Sequence, residues 1–284
     1  MHSRKTLALL ALVFASCAWG SVFVFGRIAL MELSPLQVVT LRFVIASCVL
    51  LPVMLWQREW PRPRDLPAFL AASFIGVPLA MFLLFTGLKL AGAVTTALLL
   101  GAFPVLLSLS AVLFDQEKLG WRGWTATAVS TLGVGLIVGA PGQDAGWQGP
   151  LLVLASLVCF SAWVVMSRRL MQRYSPLAVT GNVILLGTLM LVPVLFLRSM
   201  PPLGTLHADT WWCLAMLGVV CTALTYQLWN WGLKEVGTHT SGVIGNLEPL
   251  TGALLGVLVL GEATSLGLWL GGGLILAAAI SVSL

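Results

Sequence analysis

The chain has 284 residues, of which 59% are hydrophobic and 9% charged, with a formal net charge of +5 and a pI of about 9.2. Soluble domains carry roughly 25% charged residues, so this composition excludes an ordinary soluble globular protein. Nucleic-acid binding is excluded as well, because the cations sit at the ends of apolar runs and form no basic face.

Ten apolar runs follow one another, at 7–30, 36–56, 66–88, 93–114, 123–140, 149–166, 177–197, 210–233, 239–260 and 266–284. At ~1.5 Å per residue, each approaches or exceeds the ~30 Å hydrocarbon core of a bilayer. The predicted class is an all-α integral membrane protein of ten transmembrane helices. The first run is too long for a signal peptide and lacks a clear small-residue cleavage site, so it is read as the first helix. With the N-terminus inside, eleven of the fifteen basic residues fall on the inner side, among them Arg4, Lys5, Arg58, Arg62, Arg64, Arg168, Arg169 and Arg173. This positive-inside bias predicts a bacterial-type inner membrane with both termini cytoplasmic. Five cysteines fall in spans without CxxC spacing and read as small packing residues.

The first span carries Trp19-Gly20-Ser21, with the tryptophan deep in the apolar run instead of at its edge. The second begins at Ser34-Pro35 and carries Arg42, which either snorkels to the headgroups or faces a cavity. The third contains Pro78 and the fourth Pro104. The sixth holds Trp163 and ends at Arg168-Arg169; the seventh opens at Ser175-Pro176 and holds Asn182. In the eighth, Thr222, Tyr226, Trp229 and Asn230 share one helical face. Buried Tyr and Trp need hydrogen-bond partners, so that face is expected to meet protein or water.

The ninth span contains Gly245-Asn246-Leu247-Glu248-Pro249. Glu248 is the only acid in the run, and an ionised carboxylate at that depth costs from about 3 to more than 10 kcal/mol. Pro249 removes a backbone donor and is expected to free the carbonyl one turn back. A polar, hydrated place inside the protein is therefore expected here. Ser241, Gly245, Glu248, Gly252 and Gly256 form a stripe of small residues suited to close helix packing.

The chain repeats itself. Ser34-Pro35-Leu36 recurs as Ser175-Pro176-Leu177, 141 residues on, and Gly87-Leu88-Lys89 recurs as Gly232-Leu233-Lys234, 145 residues on. The offset of 145 also maps Pro104 onto Pro249 and Glu117 onto Glu262. Two copies of five helices, 1–141 and 142–284, must enter the membrane from opposite sides. This predicts inverted repeats around a central cavity, an architecture of transporters that work by alternating access. The copies differ where chemistry would sit, since Glu248 aligns with Phe103 and Tyr226 with Met81.

Trp19-Gly20-Ser21, Leu247-Glu248-Pro249-Leu250 with Leu260-Gly261-Glu262, and the weaker copy Phe103-Pro104-Val105 with Gln116-Glu117 together resemble the drug/metabolite transporter superfamily, in particular its EamA-type ten-helix members. The resemblance covers the whole chain. It implies a two-half bundle with a central cavity and export of small metabolites, often amino acids, with drugs or other metabolites as the alternative. Phosphate carriers of that architecture would need several cavity cations, and Arg42 is the one strong interior candidate. Small multidrug transporters keep their key acid in the first helix, where this chain has Trp19.

The candidate substrate-binding or coupling residues are Glu248, Asn246, Tyr226, Trp19, Trp163, Trp229, Asn230, Asn182 and Arg42. Glu248 either titrates protons or binds an ammonium, or else fixes helix packing. The aromatics wall an amphipathic pocket or simply pack, and the asparagines bind polar substrate groups or bond helices together. The expected partners are a small-molecule substrate, the lipid bilayer and protons as a candidate coupling ion. No motif for a metal, cofactor, phosphate loop or nucleophile is found, so an enzyme is not expected.

Overall fold

The computed structural model describes residues 2–106, 109, 120–138, 146–197, 203–236, 241 and 244–283. Glu117, His239 and the 141/142 border between the repeats lie outside the described residues. All regular structure among the described residues is helical: α1 (His2–Ala29), α2 (Pro35–Gln57), α3 (Leu66–Ala91), α4 (Ala93–Leu100, resuming at 103–106), α5 (Trp121–Val138), α6 (Gln148–Leu170), α7 (Pro176–Leu197), α8 (Ala208–Ala215, Met216–Leu224 and Thr225–Val236), α9 (Leu247–Leu260) and α10 (Leu266–Ser283). Six of these are long and apolar enough to cross a membrane, and α4, α5, α9 and α10 are shorter apolar helices.

Local sequence sets the helix starts. Ser34 caps α2 in a capping box with Gln37, and Pro35 takes the first helical position, where its missing N–H costs nothing. Ser175 caps α7 without a box, its Oγ accepting from Ala178 N at 3.2 Å ahead of Pro176. At the α9–α10 turn, Glu262 accepts the first backbone N–H groups of α4 with both oxygens, from Ala93 and Val94 at 2.8 Å each. Gly92, with φ +83°, makes the corner; a β-carbon there would also stand 3.0 Å from that carboxylate.

The repeat is visible in the packing. Helix α1 lies on α8 and α9, and α6 lies on α3 and α4, while α2–α7, α4–α9 and α5–α10 pair across an internal two-fold axis. Gly87 of α3 packs on Gly149 O and Val153 of α6; its counterpart Gly232 of α8 packs on Ala8 O and Leu12 of α1. On the axis, equivalent residues meet each other. Ser47 and Thr188, 141 residues apart, share a 2.8 Å hydroxyl hydrogen bond. Helices α5 and α10 also close to backbone contact, through positions that are not equivalent: Gly133 has Gly271 O 2.6 Å from its would-be β-carbon, and Gly271 has Gly133 O at the same distance.

Opposite ends of the bundle carry corresponding ties. At one end, Arg27 donates to the last carbonyls of α3 at Leu88 and Lys89, and lies 4.0 Å from Glu262. There the α1–α2 turn is held by Glu32, which accepts from the His207 backbone and pairs with its ring just before α8. At the other end, Asp65 before α3 is bound by Arg173 at 2.6 Å and by the Tyr174 hydroxyl at 2.9 Å, and Glu59 binds Ser175 through N and Oγ. Helix α2 thus starts at one end and α7 at the other, which is the inversion.

Irregular backbone recurs too. Ile75–Leu79 in α3 and Met216–Leu224 in α8 are both π-helical. Helix α4 breaks at Gly101-Ala102 just before Pro104, and α9 begins afresh after Asn246 just before Pro249. Pro249 therefore lies in a first helical turn, where no N–H is needed. The sequence places it mid-helix with a freed carbonyl; the break at Asn246 removes that cost.

Two outcomes follow from this packing. Gly133→Ala should lower the thermal midpoint in detergent by an amount equivalent to about 1–3 kcal/mol, because backbone must move. Gly135→Ala on the same helix has open space at its β-carbon and should be neutral or stabilising. For Asp65, the hydrogen bond from Tyr174 and then the charge of Arg173 hold the carboxyl below the usual carboxylate range, against the opposing effect of burial. A depressed folded value means the tie is fully effective above the unfolded pKa of about 4 and is lost as pH falls through the folded value. Asp65→Asn should therefore flatten the loss of stability below about pH 4, read as midpoint against pH; an unchanged acid limb would contradict this.

Candidate functional site

Four helices bring the polar and aromatic residues together. Gly20 lets α1 reach the backbone of α9: a β-carbon there would stand 2.6 Å from Glu248 O and 3.0 Å from Gly252 N. Gly252 answers from α9, with Phe23 of α1 2.5 Å from its would-be β-carbon. Side chains near this contact are therefore fixed in height. Trp19 leaves α1 beside Gly20 and meets Tyr226 of α8 edge-on, with centroids 5.5 Å apart, and Trp229 at a tilt, 5.1 Å apart. Trp229 in turn approaches Gly245, 3.3 Å from the would-be β-carbon.

Arg42 comes from α2 and is 3% exposed, so it does not snorkel. Gly218 allows α2 and α8 to close up, with Ile45 2.7 Å and Arg42 O 2.9 Å from its would-be β-carbon. Across that contact Arg42 Nε donates to Thr222 Oγ1 at 2.9 Å. The Thr222 hydroxyl spends its own proton on Leu217 O at 2.7 Å, five residues back, a partner that the π-helical stretch supplies. The guanidinium carbon also lies 5.5 Å from the Phe43 ring centroid and 5.8 Å from that of Phe85, within cation–π range. Its Nη1 is buried with no hydrogen-bond partner among the described residues.

Glu248 is half-buried in the first turn of α9, where the helix dipole favours an anion. It interacts electrostatically with Arg42 and Tyr226, yet among the described residues no salt bridge within 4.0 Å joins it to Arg42. Opposite charges thus interact without closing to a salt bridge, in the same group of helices as the Trp19, Tyr226 and Trp229 rings.

Five of the residues singled out in the sequence converge here: Trp19, Arg42, Tyr226, Trp229 and Glu248. Asn246 is buried at the break that starts α9, and Asn230 is half-buried on α8 next to Trp229. Two others are engaged elsewhere. Asn182 donates to Glu59 O at 3.0 Å and Ala178 O at 2.8 Å, tying the 57–65 loop to α7. Trp163 is seated against the π-helical part of α3 at Gly76, with its ring Nε1 buried and unpartnered among the described residues. Thr222 was seen in the sequence only as part of a polar face; the signal for it was its place one turn before Tyr226.

An all-helical bundle of two inverted repeats, with a charged and aromatic cluster between helices of both halves, defines a multi-pass membrane carrier. The EamA-like transporter family matches residues 6–139 and again 147–284, so the chain belongs to that family, within the drug/metabolite transporter superfamily. An uncharacterized transporter of Archaeoglobus fulgidus is 24% identical over 262 residues, covering 91% of this chain and 92% of its own. A protein of Streptantibioticus cattleyicolor named a probable terminal-alkyne amino-acid exporter is 26% identical over 271 residues, covering 91% and 87%. A crystal structure 22% identical in sequence superposes with a TM-score of 0.67 over 96% of this chain and 95% of that one, which shows a shared fold.

Thr222→Val should destabilise the fold by about 1–3 kcal/mol, because it strips a buried charge of its acceptor. In an Arg42→Met background the same change should cost clearly less. Thermal midpoints of the four proteins of this cycle check it; equal costs in both backgrounds would show that the bond carries no stability.

Proposed function

We propose that this chain exports small organic metabolites, amino acids first among them, with apolar or aromatic side chains favoured. The observation that carries the reading is the cluster itself: Arg42 and Glu248, which interact electrostatically without a salt bridge among the described residues, and the packed rings of Trp19, Tyr226 and Trp229, on helices drawn from both repeats. Fixed charges of both signs suit a zwitterion, and the rings suit an apolar side chain. The name of the Streptantibioticus relative is in keeping with this class. The two repeats, 1–141 and 142–284, rock about the site in alternating access, so that it opens to each side in turn. The chain sits in a bacterial-type inner membrane with both termini cytoplasmic, as the distribution of its basic residues indicates. No bond is made or broken in this cycle.

Glu248 is the candidate coupling residue, being a half-buried acid at the site with no salt bridge among the described residues. The test is flux of a panel of labelled amino acids in proteoliposomes, with and without an imposed pH gradient. Gradient-dependent flux of an apolar or aromatic amino acid is expected in the native protein. Glu248→Gln should abolish the pH-driven accumulation while leaving insertion intact. Accumulation that still follows the gradient in that variant would rule out Glu248 as the coupling site. Absence of flux for every amino acid would move the reading to drugs or other metabolites.

A further inference from the structure

We infer that Arg42, held by Thr222, is the carboxylate subsite of the cluster, and that Glu248 with the rings of Trp19, Tyr226 and Trp229 is the ammonium subsite. The assignment rests on the amino-acid reading above and gives it an orientation.

The first ground is the unused donor. A guanidinium is a rigid fork that matches a carboxylate with two parallel N–H groups. In Arg42, Nε is occupied by Thr222, while Nη1 is buried without a partner among the described residues. Buried donors are seldom left unmade, since each costs its full desolvation. A ligand carboxylate supplies what the protein does not. Thr222 holds Nε and two phenyl rings flank the guanidinium, which restrains the group.

The second ground is the gap. A structural ion pair between Arg42 and Glu248 would close to salt-bridge distance. Here the two share an electrostatic interaction without closing to 4.0 Å among the described residues. The carboxylate and ammonium of an α-amino acid are attached to one carbon. A zwitterion can therefore engage two opposite charges that interact but do not pair with each other. Tyr226, which interacts with Glu248, and the Trp19 and Trp229 rings packed with it would add cation–π attraction for the ammonium. Arg42 is the only cation of this cluster among the described residues, which suits one carboxylate and not a phosphate dianion.

The test uses the purified full chain and two ligand series: L-phenylalanine, L-phenylalaninamide, phenethylamine and 3-phenylpropanoate, and the corresponding L-leucine series. Affinity is read from ligand-dependent shifts of the thermal midpoint. In the native protein the amino acid should bind about tenfold or more tightly than its amide, which lacks the carboxylate charge. Arg42→Gln should weaken the amino acid by about tenfold and bring it level with its amide. Glu248→Gln should weaken the amino acid and the amine but leave the deaminated acid unchanged. Equal binding of amino acid and amide by the native protein overturns the assignment and needs no variant to fold. Unaltered discrimination in Arg42→Gln overturns it as well, while amino-acid transport itself stands. If neither series binds and no labelled amino acid is carried, the amino-acid reading fails and takes the assignment with it.

Discussion

A single guanidinium, 3% exposed in the middle of an apolar bundle, sets the terms on which the surrounding helices pack. The effective penalty for taking such an ion out of water is several kcal/mol, and it is recovered only where partners are placed well. Here the partners come from four helices. Phe43 is on α2 with Arg42, Phe85 is on α3, Thr222 on α8, and Glu248 acts from α9. Thr222 and Glu248 reach their places only because α2 and α8, and α1 and α9, approach at backbone distance. Gly218, Gly20 and Gly252 make those approaches possible. The glycines and the charge are thus parts of one arrangement.

The irregular helices belong to the same logic. Backbone groups in lipid must be satisfied within the protein, so a departure from α-geometry is tolerated only where other helices cover it. Both π-helical stretches lie on interhelical contacts, at Gly76 against Trp163 and at Gly218 against Ile45. In α8 the wider turn gives Thr222 an acceptor five residues back and leaves its oxygen free for Arg42. The irregularities recur in both repeats, whereas the chemistry does not. An offset of 141 from Arg42 reaches Val183, and the counterparts of Tyr226 and Glu248 are Met81 and Phe103. The scaffold is symmetric and the polar contents are one-sided.

Much of this was legible in the sequence because it depends on composition and period. The apolar runs give the helices, Ser-Pro pairs give the starts of α2 and α7, and two constant offsets give the inversion. The face carrying Tyr226 and Trp229 was visible from spacing alone. Other features depend on where chains meet. The partnership of Arg42 with Thr222 spans 180 residues, and no local pattern announces it. Asn182 reads like any intramembrane amide until the 57–65 loop is seen folded over it. The break at Asn246 has a clue in Pro249, but a proline can mark a kink within a helix or the start of one. Only the placement of the preceding turn decides, and that is a tertiary matter.

The contacts on the internal axis obey a rule the others escape. Ser47 against Thr188 is isologous in the sense used for two-fold dimers, since each side of the contact is made by the same position. A side chain at such a position must be complementary to its own counterpart. Hydroxyl opposite hydroxyl meets that demand, since each can donate to or accept from the other. Positions away from the axis face unrelated neighbours and are free to diverge. This divides the molecule into a conservative seam and a permissive flank. Arg42, Tyr226 and Glu248, whose counterparts are all apolar, lie on the permissive side, where one half can acquire a binding chemistry without dismantling the joint that holds both halves together.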